Sequence, residues 1–180
     1  RGKSVVSYAI GTPELMAWLD RNPLVEFQGV DKVFDPLQIG RNRRYVAVLP
    51  ARKVDLSGRI ALHIGKGNVA AEPGEIMDFF NGAEISEGGM TIFALPSRNK
   101  KRWANIRISV EEFPNQFGLR ESVDMVITEY GVANLKGRTV RERAQALIDI
   151  AHPGDRPTLV EQAKEKNILY RDQIFLPQCA

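Results

Sequence analysis

Short apolar segments dominate the middle of the sequence and limit its fold more than any other feature. Four of them occupy residues 45–49, 59–64, 91–95 and 124–128, and residues 106–110 alternate apolar with polar side chains, as in a strand with one solvated face. Runs of this length that are rich in β-branched and aromatic side chains are typical of strands, and several are bounded by glycine or proline. Long glycine-rich connections, rather than regularly spaced helices, separate them. The sequence therefore predicts an α/β fold on an open sheet of mixed strand order, not a repeated βαβ series.

Helix start signals lie on both sides of this strand-rich region. Thr12 followed by Pro13 is typical of an N-cap and the first helical position, and predicts a short helix. In the C-terminal third, Thr139 and Glu142 have the spacing of a capping box, in which each side chain satisfies a free backbone amide of the other residue. Residues 158–161 repeat that spacing and predict the start of a second helix.

Length and composition fit one globular domain, which we assign to residues 1–180. Hydrophobic residues make up 43% of the chain and charged residues 26%, and a chain of this size buries enough apolar surface to fold without disulfides. No apolar run approaches the roughly 18 residues of a membrane span. The single cysteine, Cys179, favours a reducing compartment, so we expect a cytoplasmic protein. Because the sequence starts at Arg1 without a signal peptide, we expect a fragment or a processed chain.

Charge and ligand spacing argue against nucleic-acid and metal binding. The net charge is only +3 and charges of both signs are interleaved, whereas nucleic-acid-binding proteins concentrate positive charge on one face. The basic runs at residues 41–44 and 100–103 are interpreted as solvated loops, with attraction of ligand phosphates as the alternative. His63 and His152 stand apart, and no Cys/His spacing fits zinc, so we expect no metal site.

Three glycine-containing loops are candidate ligand sites. Residues 65–70 match a loose dinucleotide-binding pattern, but the Glu-Pro-Gly that follows cannot continue the required helix, so a plain loop is favoured. Residues 81–90 place glycines before a strand, where backbone amides can approach an anion; a simple glycine turn is the alternative. Glu129 ends a strand and precedes Gly131, where α/β sheets place acid, base or orienting carboxylates; an exposed turn residue is the alternative.

Taken in order, these segments resemble the C-terminal half of the acetyl-CoA hydrolase/CoA-transferase family, which includes 4-hydroxybutyrate CoA-transferases. The most specific stretch is residues 126–153, which contains the motif Thr-Glu-Tyr-Gly and ends on His-Pro. Further matching motifs lie at residues 10–12, 54–58, 78–79, 82–83, 86, 88–89 and 95–97. The resemblance covers nearly the whole chain.

The resemblance implies that the chain is the second of two related α/β domains, an open mixed-sheet CoA-transferase-like (NagB/RpiA-like) domain. In this family a glutamate attacks an acyl-CoA thioester, and a glutamyl-CoA thioester forms before an acceptor carboxylate, or water in the hydrolases, completes the exchange. The nucleophilic glutamate belongs to an upstream motif, so the isolated chain is expected to be incomplete. The implied partners are acyl-CoA, small carboxylates and the missing N-terminal half. Coenzyme A is expected as substrate, no permanently bound cofactor is expected, and a homo-oligomer stays open.

The resemblance also implies site residues. Glu129 matches a family active-site glutamate of a T-E-x-G motif and is expected to orient substrate rather than to attack it. A second set is expected on the CoA side of the cleft: Gly74, Gly82, Ala83, Gly88, Gly89 and Ser97. We expect Glu129 to face the same side of the domain as Gly82 and Gly88.

Four positions depart from the family pattern. Phe34 and Leu49 stand where the family has asparagine, Glu75 where it has glycine, and Met90 where it has lysine. These departures keep two alternatives to the transferase open: an acyl-CoA hydrolase, and a catalytically silent CoA-binding module. An anion- or nucleic-acid-binding domain that uses the two basic runs is a less favoured third.

Overall fold

The computed structural model describes residues 2–63, 75–113, 115–117 and 123–174. The described strands are β1 (Ser4–Val6), β2 (Val25–Phe27), β3 (Val46–Pro50), β4 (Lys53–Asp55), β5 (Ile60–His63), β6 (Met90–Ala94), β7 (Ile106–Arg107), β8 (Asn115–Phe117), β9 (Met125–Thr128) and β10 (Gly131–Asn134). The described helices are α1 (Pro13–Leu19), α2 (Val30–Val33), α3 (Pro36–Gly40), α4 (Ile76–Ile85), α5 (Val140–Asp149) and α6 (Arg156–Glu165), with a 3₁₀ turn at Pro153–Asp155.

Strands β3, β6 and β9 form the parallel part of the first four-stranded sheet. Its order is β10-β9-β6-β3, and only β10 runs antiparallel to its neighbour β9. The strands alternate between faces: in β3, Ala47 and Leu49 are buried while Val46 and Val48 are exposed. Helix α4 packs against β3 and β6, and α5 packs against β10. These helices therefore cover only part of the sheet, and all three parallel strands end at one edge.

The second four-stranded sheet has the order β7-β4-β5-β8 and also mixes parallel and antiparallel pairs. The expected mixed α/β sheet architecture is confirmed. The fully buried side chains of this second sheet include Val54, Ile60 and Ile106, and they join those of the first sheet in one apolar core. None of the helices in the described ranges has the length and apolar character required to cross a bilayer.

Two local predictions need correction. The strand expected at residues 106–110 stops after Arg107, because the chain turns at Ser109, whose Oγ accepts a hydrogen bond from the Glu111 amide. The capping box predicted at residues 158–161 is absent. Helix α6 starts at Arg156 after the 3₁₀ turn, so Thr158 already lies inside the helix. The N-cap at Thr12 and the capping box of α5 are confirmed.

Glycines allow α3, α4 and β6 to approach one another closely. A Cβ on Gly82 would overlap the Ile39 side chain, and one on Gly40 would lie 2.5 Å from Ile85 Cγ2. A Cβ on Gly89 would overlap the carbonyl oxygen of Ala83, because the chain turns tightly between α4 and β6. Gly88 has φ +72°, in the left-handed region that favours glycine. These glycines are therefore required for backbone packing.

The two Thr-x-x-Glu segments give a matched stability test. Thr139 Oγ1 accepts the Glu142 amide and Glu142 accepts the Thr139 amide. We expect Thr139→Ala to lower the free energy of unfolding by about 1 kcal/mol, because free amides at the helix end lose their acceptor. Thr158→Ala, at an exposed position inside α6, should change it by less than about 0.5 kcal/mol. Urea unfolding followed by circular dichroism measures both; equal effects would contradict the assigned helix starts.

The packing role of Gly89 is tested by adding one methyl group. Gly89→Ala forces a backbone carbonyl to move, and we expect a loss of about 1–3 kcal/mol of unfolding free energy. Gly2→Ala is the control, since a Cβ there meets nothing within 4 Å. Thermal unfolding compares the two variants. A Gly89→Ala protein as stable as the control would show that the turn has room for a side chain.

Candidate functional site

Glu129 lies in the tight turn of the β9–β10 hairpin. Thr128 pairs with Gly131, so Glu129 and Tyr130 form the turn, and Gly131 takes φ +139°. Thr128 Oγ1 donates to the Ile150 carbonyl at 2.6 Å and accepts the Tyr130 amide at 3.1 Å. The turn is thereby fixed to the C-terminal end of α5, which holds the Glu129 backbone in place.

The Glu129 carboxylate is held by Ser97. The Ser97 amide donates to Oε2 at 2.8 Å and the Ser97 hydroxyl donates to Oε1 at 2.6 Å. Ser97 is 1% exposed, whereas Glu129 lies at the surface. Because β6 and β9 are parallel neighbours, residues that follow them meet at the same edge of the sheet. Two predicted site residues are therefore brought together where open α/β sheets place ligands.

The pKa of Glu129 is lower than that of an ordinary glutamate. Partial burial by itself raises the pKa of the carboxyl group, but the two hydrogen bonds from Ser97 favour the charged form more strongly. A bond from the Glu129 backbone and the nearby His152 lower the pKa further. Glu129 is therefore ionised at neutral pH and acts as a hydrogen-bond acceptor.

A buried polar network supports Ser97 from below. The Ser97 carbonyl accepts the Asn105 amide at 2.8 Å, and Asn105 Nδ2 donates to the Pro96 carbonyl at 2.8 Å. Lys53 Nζ donates to Asn105 Oδ1 at 3.3 Å and to the Ala104 carbonyl at 2.9 Å. Lys53 is only 4% exposed. Burial is the main cause that lowers its pKa, the charge of Arg107 lowers it further, and the charge of Glu112 acts in the opposite direction.

Sequence reasoning missed Lys53 and Asn105. A lysine beside apolar Val54 at the start of a short strand was a usable signal, because a buried lysine needs partners. Nothing in the local sequence of Asn105 distinguishes it from a loop residue. Both act on Glu129 only through Ser97 and are positioning residues.

Aromatic and charged groups lie around the Glu129 turn. The rings of Tyr130 and His152 meet edge to face with centroids 5.6 Å apart. Arg98 donates hydrogen bonds to both carboxylate oxygens of Asp155 at 2.9 and 2.6 Å. These bonds and the positive charge of Arg98 lower the pKa of Asp155, although partial burial acts in the opposite direction. Arg156 lies 5.9 Å from the centre of the Tyr130 ring. Cationic and aromatic side chains therefore lie beside Tyr130, the residue that follows Glu129 in the turn.

The remaining predicted glycine set lies elsewhere. Gly82 and Ala83 are in the last turns of α4, while Gly88 and Gly89 precede β6. Ser97 follows β6, so the five residues of that strand, at about 3.3 Å each, separate the two groups by on the order of 20 Å. The expectation that Glu129 shares a side of the domain with Gly82 and Gly88 is wrong, because β6 carries the chain from one edge to the other.

Several predictions fall on residues outside the described ranges. Gly74, the dinucleotide-like loop at residues 65–70 and Cys179 all lie there. The two basic runs are described, and both lie in exposed turns or loops. Arg43 pairs with Glu87 at 2.8 Å, which supports the interpretation of these runs as solvated loops. Among the residues the structure describes, no group of three or more potential metal ligands is found.

Two of the four departures from the family pattern lie together. Tyr8 donates to Glu75 Oε1 at 3.0 Å, and this bond raises the Tyr8 pKa. The Phe34 ring lies 6.3 Å from the Tyr8 ring and 5.3 Å from the Phe79 ring. Tyr8, Phe34 and Glu75 border an open cavity of about 570 Å³ that Asp78 also lines. Leu49 is part of the core and Met90 begins β6, so neither joins this cluster.

Known proteins resemble the chain in both sequence and structure. Residues 11–163 match the family described as "Acetyl-CoA hydrolase/transferase C-terminal domain". The chain is 40% identical over 167 residues to the 4-hydroxybutyrate coenzyme A transferase of Clostridium kluyveri, covering 92% of this chain and 39% of that protein. It is 36% identical over 168 residues to the succinyl-CoA:cyclohexane-1-carboxylate CoA transferase of Geobacter metallireducens, covering 92% of this chain and 38% of the relative.

Solved structures agree with the sequence matches. The 4-hydroxybutyrate CoA-transferase of Porphyromonas gingivalis superposes with a TM-score of 0.73 at 36% identity, covering 91% of this chain and 38% of that one. RipA from Yersinia pestis superposes with a TM-score of 0.77 at 31% identity, covering 94% and 37%. The chain spans about two fifths of the length of the curated relatives it matches. It belongs to the acetyl-CoA hydrolase/transferase family, and the part it carries is the C-terminal domain.

Proposed function

We propose that the chain is the C-terminal, CoA-side half of a CoA-transferase that moves CoA between carboxylic acids. The observation that carries this proposal is the fixed, ionised Glu129, which Ser97 holds at the carboxyl edge of a family-typical sheet. Coenzyme A is a substrate and no cofactor stays bound between turnovers. Acyl-CoA and small carboxylates are the small-molecule partners, and the other half of the cleft comes from upstream residues.

The proposed reaction proceeds in covalent stages. A glutamate of the upstream half attacks the thioester carbonyl, and the C–S bond breaks to give an acyl-glutamyl anhydride and CoA thiolate. The thiolate then attacks the glutamyl carbonyl and releases the first carboxylic acid as its carboxylate. An incoming carboxylate reverses both steps and leaves as the new acyl-CoA, so atoms balance without a further reagent. Splitting the exchange lowers each barrier.

Glu129 suits an orienting role in this scheme better than a nucleophilic one. Both of its oxygens already accept hydrogen bonds from Ser97, and the lowered pKa marks a stabilised, less reactive anion. An ionised carboxylate repels the carboxylate substrates and accepts hydrogen bonds from neutral donors. The amide N–H groups of the pantetheine arm of CoA are donors of this kind. We propose that Glu129 orients that arm and that Ser97 positions Glu129.

The other predicted contacts follow from the resemblance. We propose that Gly74 faces CoA. The packing contacts of Gly82, Ala83 and Gly89 favour a structural role. For these residues or Gly88 to contact CoA as well, the bound CoA has to extend from one edge of the sheet to the other. The cluster of Tyr8, Phe34 and Glu75 favours the second candidate function, a CoA-binding module without transfer activity, because an apolar wall replaces an asparagine amide there.

The orienting role is tested by Glu129→Gln in the protein that includes the upstream half. Loss of a charged acceptor costs about 1.5–3 kcal/mol, so we expect kcat/KM for acyl-CoA to fall roughly 10- to 100-fold. CoA transfer to a carboxylate is followed by chromatography of the acyl-CoA products, which also separates transfer from hydrolysis. Glu161→Gln, at an exposed position on α6, is the control. Full activity of Glu129→Gln would remove Glu129 from the mechanism.

The coupling between Ser97 and Glu129 predicts a change in titration. Ser97→Ala removes the hydroxyl donor, so we expect the pKa of Glu129 to rise toward its ordinary value. A carboxyl group with a lowered pKa stabilises the fold at pH values above its unfolded-state pKa, and this contribution is lost as the pH falls through its folded-state pKa. Ser97→Ala should therefore weaken the dependence of the unfolding free energy on pH between these two pKa values. Carbon NMR of labelled glutamate side chains measures the pKa. Ser109→Ala, which touches Glu111, should leave Glu129 unchanged.

A further inference from the structure

The first part of the chain has no buried residue. From residue 2 to residue 38 every side chain is exposed or half-buried, and the first buried one is Ile39. Within this part, β1, α1 and β2 form a parallel βαβ unit, which we call the N-terminal unit (residues 4–27). Such a unit normally lies in a sheet that is covered on both faces.

The two strands of the N-terminal unit have open outer edges. The Ser4 amide donates to the Leu24 carbonyl at 2.8 Å and the Gln28 amide donates to the Val6 carbonyl at 2.9 Å. Since bonding alternates along a parallel strand, the backbone groups of Val5 and Phe27 point away from the partner strand. In the described part of the chain no further strand pairs with β1 or β2. A two-stranded parallel sheet is not expected to persist in this form alone.

Large apolar side chains of the unit are exposed to solvent. Trp18 is 56% exposed, and Leu15 and Met16 on the same short helix are also exposed. Val5 and Phe27 are each 51% exposed on the strands. A helix of seven residues is too short to be stable without packing. Exposed apolar residues grouped in this way mark an interaction surface.

The unit has few links to the two four-stranded sheets. Tyr8, which follows β1, donates to Glu75 at the start of α4, and its ring lies near Phe34. Helix α1 contributes no buried residue, so it does not pack into the core that the sheets share. The unit therefore requires a partner that the described residues do not supply.

We propose that the N-terminal unit is the last part of a parallel sheet whose other strands belong to the upstream part of the same polypeptide. The family match is to a C-terminal domain, and the curated relatives are longer by about three fifths of their length. The unit lies at the upstream end of the chain, next to where such residues would join. This assignment does not depend on the CoA chemistry proposed above.

Hydrogen exchange tests the proposal on two proteins, the 180-residue chain and the longer polypeptide that includes the upstream part. We expect peptides from residues 4–28 to exchange at least about tenfold more slowly in the longer protein, since strand pairing protects amides. Peptides from β6 and β9 should be equally protected in both. Equal exchange of residues 4–28 in both proteins overturns the proposal. If these residues are equally slow in both, the surface of the unit is protected by the 180-residue chain itself or by a second copy of it.

A pair of tryptophan variants locates the surface. The chain has two tryptophans, Trp18 in the unit and Trp103, which is 64% exposed in a loop of the second half. In the longer protein we expect Trp18→Glu to restore fast exchange of residues 4–28, and Trp103→Glu to leave it slow. Retained protection in Trp18→Glu overturns the assignment of that face. Glu129→Gln should leave exchange unchanged whatever its activity, which separates this proposal from the catalytic one.

Discussion

Parallel pairing of β6 with β9 is the constraint from which the candidate site follows. The register that sets Phe93 beside Val126 brings the residues after each strand to one edge, so Ser97 meets the turn that carries Glu129. Both donors of Ser97 then point at one carboxylate. The hairpin bond to Ile150 and the buried contacts of Asn105 hold the two sides in place. Loss of this register would separate Ser97 from Glu129, because the two residues are distant in sequence and only the strand pairing brings them together.

Local signals in the sequence were sufficient for most elements but not for their arrangement. The capping box at Thr139 was predictable because it needs only residues three apart. The matching box at Thr158 failed since His152 accepts the Gly154 amide and the 3₁₀ turn sets the start of α6 earlier. Strand order was beyond the sequence, because hydrophobic runs show that strands are buried and do not show which strands are neighbours.

The candidate site divides along the same line. Glu129 and Ser97 were both predicted, and they meet because each follows a parallel strand. The glycine group was misplaced because glycine has two uses that look alike in sequence: freeing an amide for a ligand, and removing a Cβ from a crowded contact. At Gly89 the carbonyl of Ala83 occupies the space a side chain would need, so crowding explains that residue. Lys53 was missed because its partners, Asn105 and the Ala104 carbonyl, are distant in sequence.

The exposed N-terminal unit changes how the departures at Phe34 and Glu75 are understood. Tyr8 follows β1, while Glu75 precedes α4, and their hydrogen bond links the unit to the sheet domain. If upstream strands complete the sheet of the unit, this bond and the Tyr8–Phe34 ring contact link that sheet to the rest of the domain. The cavity that these residues border lies where the unit meets the start of α4. Substitutions at Phe34 or Glu75 therefore change the contact of the unit with the rest of the domain and the wall of this cavity, and they leave the Ser97–Glu129 hydrogen bonds in place.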